Sequence, residues 1–480
     1  MVNSKDLFYN IAKKDAISTA NAGRIMLNIF FLKTNKLTLL LILASFCLYG
    51  VFAYDLARTD HANLISIYIV LFGLFLKIVN NNKDNFSLLV GIAIISRLVF
   101  LLAIPNLSQD FYRFIWDGRM ILQGFNPYLH TPASFIALGE YPISQAQQLV
   151  VGMQELNASH YSNYPPINQL LFIVANLFSS SNILGSVIGL RLIIIAADIG
   201  TLYFGTKLLK RLGLSQHKIF WYILNPFIII ELTGNLHFEG VMLFFLILSL
   251  YLLHKNKWQW AAVVFALSIS TKLVPLLFLP LFVKWFRLKE NHAKIDFKKL
   301  ISFYLIIGTV TLLLFAPFFS MAFINNYSKT VGLWFGNFEF NASLYYLARE
   351  VGYLITGYNQ IAIIGKILPV IIFTSIWCLA LFRKNQVFST LVKSMLIAFT
   401  IYLLLSTTVH PWYIASILLL SVFTNYKYAI VWSFIIIISY LAYANADNTE
   451  NLWIIGAEYL VVYAIIIFEL FTKARRLEIK

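Results

Sequence analysis

The chain has 480 residues, 60% of them hydrophobic and only 12% charged, with a mean hydropathy of +0.76. That composition excludes an ordinary water-soluble domain and reads as a polytopic membrane protein. The formal net charge of +16 does not make a nucleic-acid binder, because the basic residues fall in short loops between apolar runs, where orientation signals sit.

Residues 1–35 are polar and basic, with no short apolar core before a small-residue cleavage site. They are read as a cytoplasmic N-terminal segment ahead of an uncleaved first span. Apolar runs follow at 36–57, 62–80, 86–105, 186–207, 218–235, 238–254, 258–271, 273–285, 299–318, 361–382, 391–408, 411–424, 428–444 and 452–472. Several are shorter than the roughly 20 residues of a full span. Two more apolar segments, 165–180 and 341–358, are short and interrupted, and are expected to lie flat on the membrane. With the N-terminus inside, the basic loops at 207–218, 254–257, 284–299, 383–386, 425–427 and 473–480 then all face the cytoplasm. The 258–285 stretch, basic at both ends, goes out and back with its turn at Thr271–Lys272. The expectation is one all-α domain over 36–480 with about 14 transmembrane helices. A large external loop at 106–185 carries interfacial helices, and a second external loop covers 319–360. Cys47 and Cys378 both lie inside apolar runs and offer neither a disulfide framework nor a metal site.

This topology gathers polar residues from distant segments on the outer face: Asp110, Asp117, Asn126, His160, Glu231, His237, Glu239, Lys272, Glu339, Arg349 and His410. Ionisable groups at membrane depth are costly and usually functional. The bland alternative is mutual pairing, as expected for Arg191 and Asp198, seven residues apart on one span.

Five motifs carry the chemistry. In NLSQDFYRFIWDGRMILQGFNPYLH (106–130), Asp110, Arg113 and Asp117 recur at i, i+3 and i+7, on one side of a helix capped by Ser108 and ended by Gly124 and Pro127. A carboxylate there can take a proton from an attacking hydroxyl; the alternative is a solvated face on a lipid-lying helix. GFNPYLHTP and NYPPINQLLF offer Asn126, Tyr128 and Tyr164 to stack on or bond a sugar, against the reading of an interfacial aromatic belt. NPFIIIELTGNLHFEG puts Glu231, His237 and Glu239 at the outer end of a tight hairpin. Lys272 suits a lipid phosphate or simple snorkelling. His410 and Tyr413 in HPWY, with Glu339, Asn341 and Arg349, lie on the same side.

In this order, SQDFYRFIWDG, GFNPY, YPP, NPFIIIELTGNLHFEG, TKLVPLLFLP and TVHPWY resemble the GT-C superfamily of polytopic glycosyltransferases over roughly residues 86–415. The bacterial polyprenol-phosphate-mannose-dependent mannosyltransferases are the nearest in kind, with a more distant likeness to the first mannosyltransferase of GPI-anchor synthesis. The resemblance implies a hexosyltransferase in the bacterial inner (plasma) membrane. It would move a sugar from a polyprenyl-phosphate donor to a glycan, lipid or protein acceptor on the non-cytoplasmic face. It aligns Asp110 with the second acid of an Asp-x-Asp motif whose first place is Ser108 here, Asp117 with a further acid, and Glu239 or His237 with the acid of the second short external turn. Asp110 and Asp117 are then the expected catalytic acids. Arg113, Asn126, Tyr128, Tyr164, Arg191, His237, Glu239, Lys272, Arg349, His410 and Tyr413 are the expected substrate contacts. No cofactor is implied with certainty, and a divalent cation stays open. The competing class is a transporter or flippase of lipid-linked saccharide, which usually shows related halves and midplane charges.

Overall fold

The computed structural model describes residues 36–177, 179–288, 294–336, 338–444 and 449–478; the expected cytoplasmic segment 1–35 lies outside the described residues. The described chain is helical, with two isolated bridges and no strand. Among the described residues, seven helices are long and apolar enough to cross a membrane: Lys36–Tyr54, His61–Asn81, Ile183–Arg211, Phe297–Phe318, Ile361–Phe382, Phe388–Leu405 and Leu452–Thr472. An eighth is counted if Pro226–Gly234 and Glu239–His254, bent by 113°, are one broken span.

The apolar runs behind the expected 14 or so spans are therefore not all long helices among the described residues. The runs at 86–105, 258–271, 411–424 and 428–444 become the shorter helices Phe86–Val99, Trp258–Ile269, Pro411–Val422 and Tyr428–Ala444, and 273–285 winds into a 3₁₀ segment, Val274–Phe282. At about 1.5 Å rise per residue, a helix of about 12 residues covers only about 18 Å of a hydrocarbon layer about 30 Å thick. Pro275 and Pro280 remove amide donors from the Val274–Phe282 segment, which discourages a regular α-helix there.

Lys36–Tyr54 and His61–Asn81 form a hairpin, and Asp60 caps its second helix by accepting the Asn63 N–H at 3.3 Å. Ile183–Arg211, Glu239–His254, Trp258–Ile269 and Phe297–Phe315 pack in succession. Two charges of Ile183–Arg211 find partners outside it: Asp198 meets Arg97 at 2.7 Å, while Arg191 donates to the carbonyls of Thr233, Gly234 and Leu101 at 2.9–3.0 Å. The expected Arg191–Asp198 pair does not form. Seven residues place two side chains about 10.5 Å apart along a helix. In addition, the π-turn Ile229–Gly234 leaves carbonyls that need donors, and Arg191 supplies them.

Against this bundle sits a small helical layer from 106–177. Asp110–Leu122 starts with an acid in its first turn, favourable beside the helix N-terminus, and ends ahead of Gly124, whose φ of +83° takes the left-handed turn. Ser108 is not the N-cap, which is Gln109; its Oγ accepts the Asp110 N–H at 3.3 Å. The helix packs on Ala146–Ala158 and Pro166–Leu177. It approaches the latter so closely that a Cβ on Gly118 would lie 2.5 Å from the Phe172 carbonyl oxygen. Pro166–Leu177 keeps Leu170 and Leu177 exposed on its other side, and Leu344–Thr356 likewise presents Leu347, Leu354 and Ile355. Both leave an apolar face uncovered within the described chain.

Candidate active site

The 106–177 layer, the hairpin turn after Tyr54, the bend before Glu239, the break at Lys272 and the segments around 338–340 and 406–413 enclose a cavity of about 330 Å³. Its floor is polar: Ser108, Gln109, Asp110, Arg113, Asn157 and His160. Glu239, Lys272, His410, Trp412 and Tyr413 line it too, with Tyr164, Tyr440 and Tyr443. Gly365, Leu368, Pro369 and Ile372 from the Ile361–Phe382 helix, with Leu273, Val274 and Val331, give an apolar wall.

Asp110 stands at the first turn of its helix. One carboxylate oxygen accepts the Asn157 side-chain amide at 3.2 Å, and no cation lies within salt-bridge distance among the described residues. Burial pushes its pKa up; Lys272 and the Asn157 hydrogen bond oppose that, and Glu239 adds to it. Asp117, two turns on, is quite different. It is fully buried and does not line the cavity. Arg113 Nε donates to it at 2.7 Å, Ser162 Oγ at 2.5 Å and Gln169 Nε2 at 3.1 Å. Arg113 also donates to the carbonyls of Asn157 and His160, at 2.9 and 2.7 Å. Through Arg113, Asp117 thus anchors the end of the Ala146–Ala158 helix, which presents Asn157 to Asp110. The alternative of a solvated face does not hold: Arg113, Trp116, Asp117, Gly118 and Arg119 are all buried.

Glu239 opens its helix and pairs with Lys272 at 2.9 Å; its second oxygen has no hydrogen-bond partner among the described residues. Lys272 lies in the break between Trp258–Ile269 and Val274–Phe282, 5.7 Å from the Tyr164 ring. His410 sits in the connection after the Phe388–Leu405 helix. Burial, reinforced by Lys272, pushes its pKa down to about 3, so the ring is neutral. Its Nδ1 is buried with no hydrogen-bond partner among the described residues. Trp412 is sandwiched between His410 (4.5 Å) and His237 (3.7 Å). His237 therefore lies behind Trp412, 3.7 Å from Glu231, which accepts the Tyr440 hydroxyl at 2.9 Å.

Asp110, Arg113, Tyr164, Glu239, Lys272, His410 and Tyr413 are brought together on the cavity. Asn126, Tyr128, Arg191, His237 and Arg349 are not among its lining residues, and neither is Asp117. Asn126 accepts the Tyr128 N–H at 3.0 Å; Tyr128 donates to the Tyr164 carbonyl at 2.5 Å and packs among Phe318, Phe323 and Tyr327. Arg349 is taken up by Glu339 at 2.6 Å and Glu350 at 3.0 Å. Sequence reasoning missed Arg58, Asn157, Tyr440 and Tyr443. Arg58 had a signal: it is a basic residue in the first turn, which the basic-loop pattern expects on the outer side, where basic residues are the exception. Among the described residues no three His, Cys, Asp or Glu side chains converge as metal ligands. With Ser108 at the first acidic place and Glu239 held by Lys272, this set does not fit a divalent cation.

A family model described as alpha-(1->6)-mannopyranosyltransferase, N-terminal domain, matches residues 41–289, more than half of the chain and most of the polar floor. The chain belongs to this family. It is 24% identical over 153 residues to alpha-(1->6)-mannopyranosyltransferase B of Corynebacterium glutamicum, covering 32% of this chain and 24% of that protein. It is 22% identical over 222 residues to alpha-(1->6)-mannopyranosyltransferase A of Mycobacterium tuberculosis, covering 46% of this chain and 41% of that one. The matched regions thus span between a quarter and two fifths of these relatives. The GT-C resemblance to bacterial mannosyltransferases agrees with this membership, and the long apolar helices make this family member an integral membrane protein.

Proposed function

We propose that the chain is a mannosyltransferase that takes mannose from a polyprenyl-phosphate donor and joins it to an acceptor hydroxyl on the non-cytoplasmic face of a bacterial inner membrane. The observation that carries this reading is Asp110: a half-buried carboxylate in a cavity, with no cation paired to it among the described residues and an apolar wall nearby. Family membership favours transfer over transport as the use of that cavity.

In the step proposed, Asp110 takes the proton of the acceptor hydroxyl. The oxygen attacks C1 of mannose, the bond from C1 to the phosphate oxygen breaks, and its electron pair leaves on the phosphate. A carboxylate whose pKa is raised by burial is a stronger base than an exposed one, provided it stays ionised. Asn157 fixes its orientation by one hydrogen bond and leaves the other oxygen for the acceptor. The departing phosphate needs charge stabilisation more than a proton. Lys272 and the Nδ1 of neutral His410 are groups that can meet it. Leu368, Pro369 and Ile372 would lie along the first isoprene units of the donor.

The test incubates the purified protein with polyprenyl-phosphate mannose and a mannoside acceptor. Release of polyprenyl phosphate together with a lengthened mannoside is expected. Intact donor with a separately verified folded protein would overturn the reading.

A further inference from the structure

The charges lining the cavity pair off with two exceptions. Three cations line it, Arg58, Arg113 and Lys272, and two carboxylates, Asp110 and Glu239. Arg113 is neutralised from behind by Asp117 at 2.7 Å, and Lys272 by Glu239 at 2.9 Å. Asp110 is left as the carboxylate without a cation, and Arg58 as the cation without a carboxylate, among the described residues.

Arg58 comes from the turn between Lys36–Tyr54 and His61–Asn81, upstream of the 86–415 region that carries the GT-C motifs. It is held in place before any ligand arrives. Its guanidinium lies over the Tyr443 ring at 4.0 Å, and one terminal nitrogen, Nη1, donates to the Leu107 carbonyl (3.3 Å) and the Gln109 side chain (3.0 Å). Those residues lead directly into Asp110. Nε and Nη2 donate to nothing among the described residues. A fixed guanidinium with one edge open is the geometry that binds phosphate oxygens bidentately, and it costs little ordering when the ligand binds.

We propose that Arg58 is the phosphate anchor of this cavity. Lys272, the obvious candidate by position, already spends its charge on Glu239. The inference rests on the transferase reading, in which a phosphate must enter and leave beside Asp110. Two sources share this chemistry: the leaving phosphate of the lipid-linked donor, and a phosphate carried by a phospholipid acceptor. In the first case the electron pair released from C1 is stabilised by the Arg58 edge; in the second, Arg58 orients the hydroxyl toward Asp110.

The experiment uses the full-length protein in detergent and measures inhibition by polyprenyl phosphate for wild type, R58K, R58Q and K272Q, with thermal unfolding of each as control. On the donor side, R58Q weakens inhibition by about tenfold or more. R58K recovers only part of it, because it keeps the charge and loses the fork, and K272Q changes it less. On the acceptor side, inhibition is unchanged, but R58Q raises KM for a phospholipid-anchored mannoside by about tenfold and leaves KM for a neutral mannoside alone. If R58Q, folded, changes neither quantity, Arg58 is a strut on Tyr443 and the proposal is overturned while the transferase reading stands. If wild type neither uses polyprenyl-phosphate mannose nor responds to polyprenyl phosphate, the donor reading fails, and the assignment of Arg58 to a phosphate fails with it.

Discussion

Two polar clusters lie on the side of the molecule expected to face outward. One is the cavity floor around Asp110. The other joins the segment 339–350 to Glu450. In the second, Arg349 binds Glu339 and Glu350, Tyr345 donates to Glu339 at 2.6 Å, Glu450 accepts the Asn341 N–H at 2.7 Å, and Tyr346 donates to Glu450 as well. Arg349 also lies over the Tyr346 ring at 4.4 Å. Each of its three carboxylates has a partner within the cluster, and the result is a clasp between chain segments. The cavity floor is built from the same residue types and stops short of that closure. Asp110 has a single side-chain hydrogen bond, Arg58 has an open edge, and His410 and Glu239 each keep a buried atom unbonded. Incomplete pairing in a buried site has an energetic cost, so a fold that retains it next to a cavity holds those groups available for a ligand.

Substitutions that touch only one cluster should separate the two. The largest effect is expected at Asp110. Asp110→Asn keeps the shape and the Asn157 contact and removes the basicity; transfer should fall by about 100- to 10,000-fold, with the unfolding temperature within a degree or two of wild type. Asp117→Asn should behave in the opposite sense. It leaves Arg113 buried without its counter-charge, which typically costs about 3–5 kcal/mol. Folded yield and thermal stability should drop first, and activity per folded molecule should fall less than for Asp110→Asn. A stable Asp117→Asn protein with no transfer would exchange the roles of the two acids. Lys272→Gln should come next, with donor turnover reduced by about tenfold as one charged hydrogen bond of about 1.5–3 kcal/mol is lost; unchanged kinetics would return Lys272 to a merely structural pairing with Glu239. Arg349→Gln should have the smallest effect: a stability loss of about 0.5–1 kcal/mol for a partly exposed pair, read by denaturant titration, and transfer within about twofold of wild type. A large activity loss there would join the two clusters into one site.

Much of the arrangement could be read from residue order. The helix after Ser108, its end at Gly124, the turn at Lys272 and the convergence of Glu239, Lys272 and His410 all follow from local spacing and from the rule that basic loops stay inside. What could not be read depends on contacts between distant segments. Asp110 and Asp117 share a helix face by spacing, yet Arg113, Ser162 and Gln169 claim Asp117, while Asp110 is left with Asn157 alone. Arg191 and Asp198 look like partners until the carbonyls of the π-turn and Arg97 are in place. Arg58 sits in a six-residue turn between Tyr54 and His61 with no motif around it. Its part in the cavity depends on Tyr443, almost four hundred residues away. Run length likewise does not say where a helix breaks, and several of the apolar runs form short or broken helices.

The central claim is that Asp110, half-buried and without a paired cation, is the base. The direct test is the pH dependence of kcat/KM for mannosyl transfer. The base works as the carboxylate, and burial raises its pKa, so activity is full above that raised value and is lost as the pH falls through it. The account predicts an acid limb with a midpoint above the ordinary Asp value of about 3.9, and no such limb in the residual activity of Asp110→Asn. An acid limb that persists unchanged in Asp110→Asn would contradict it.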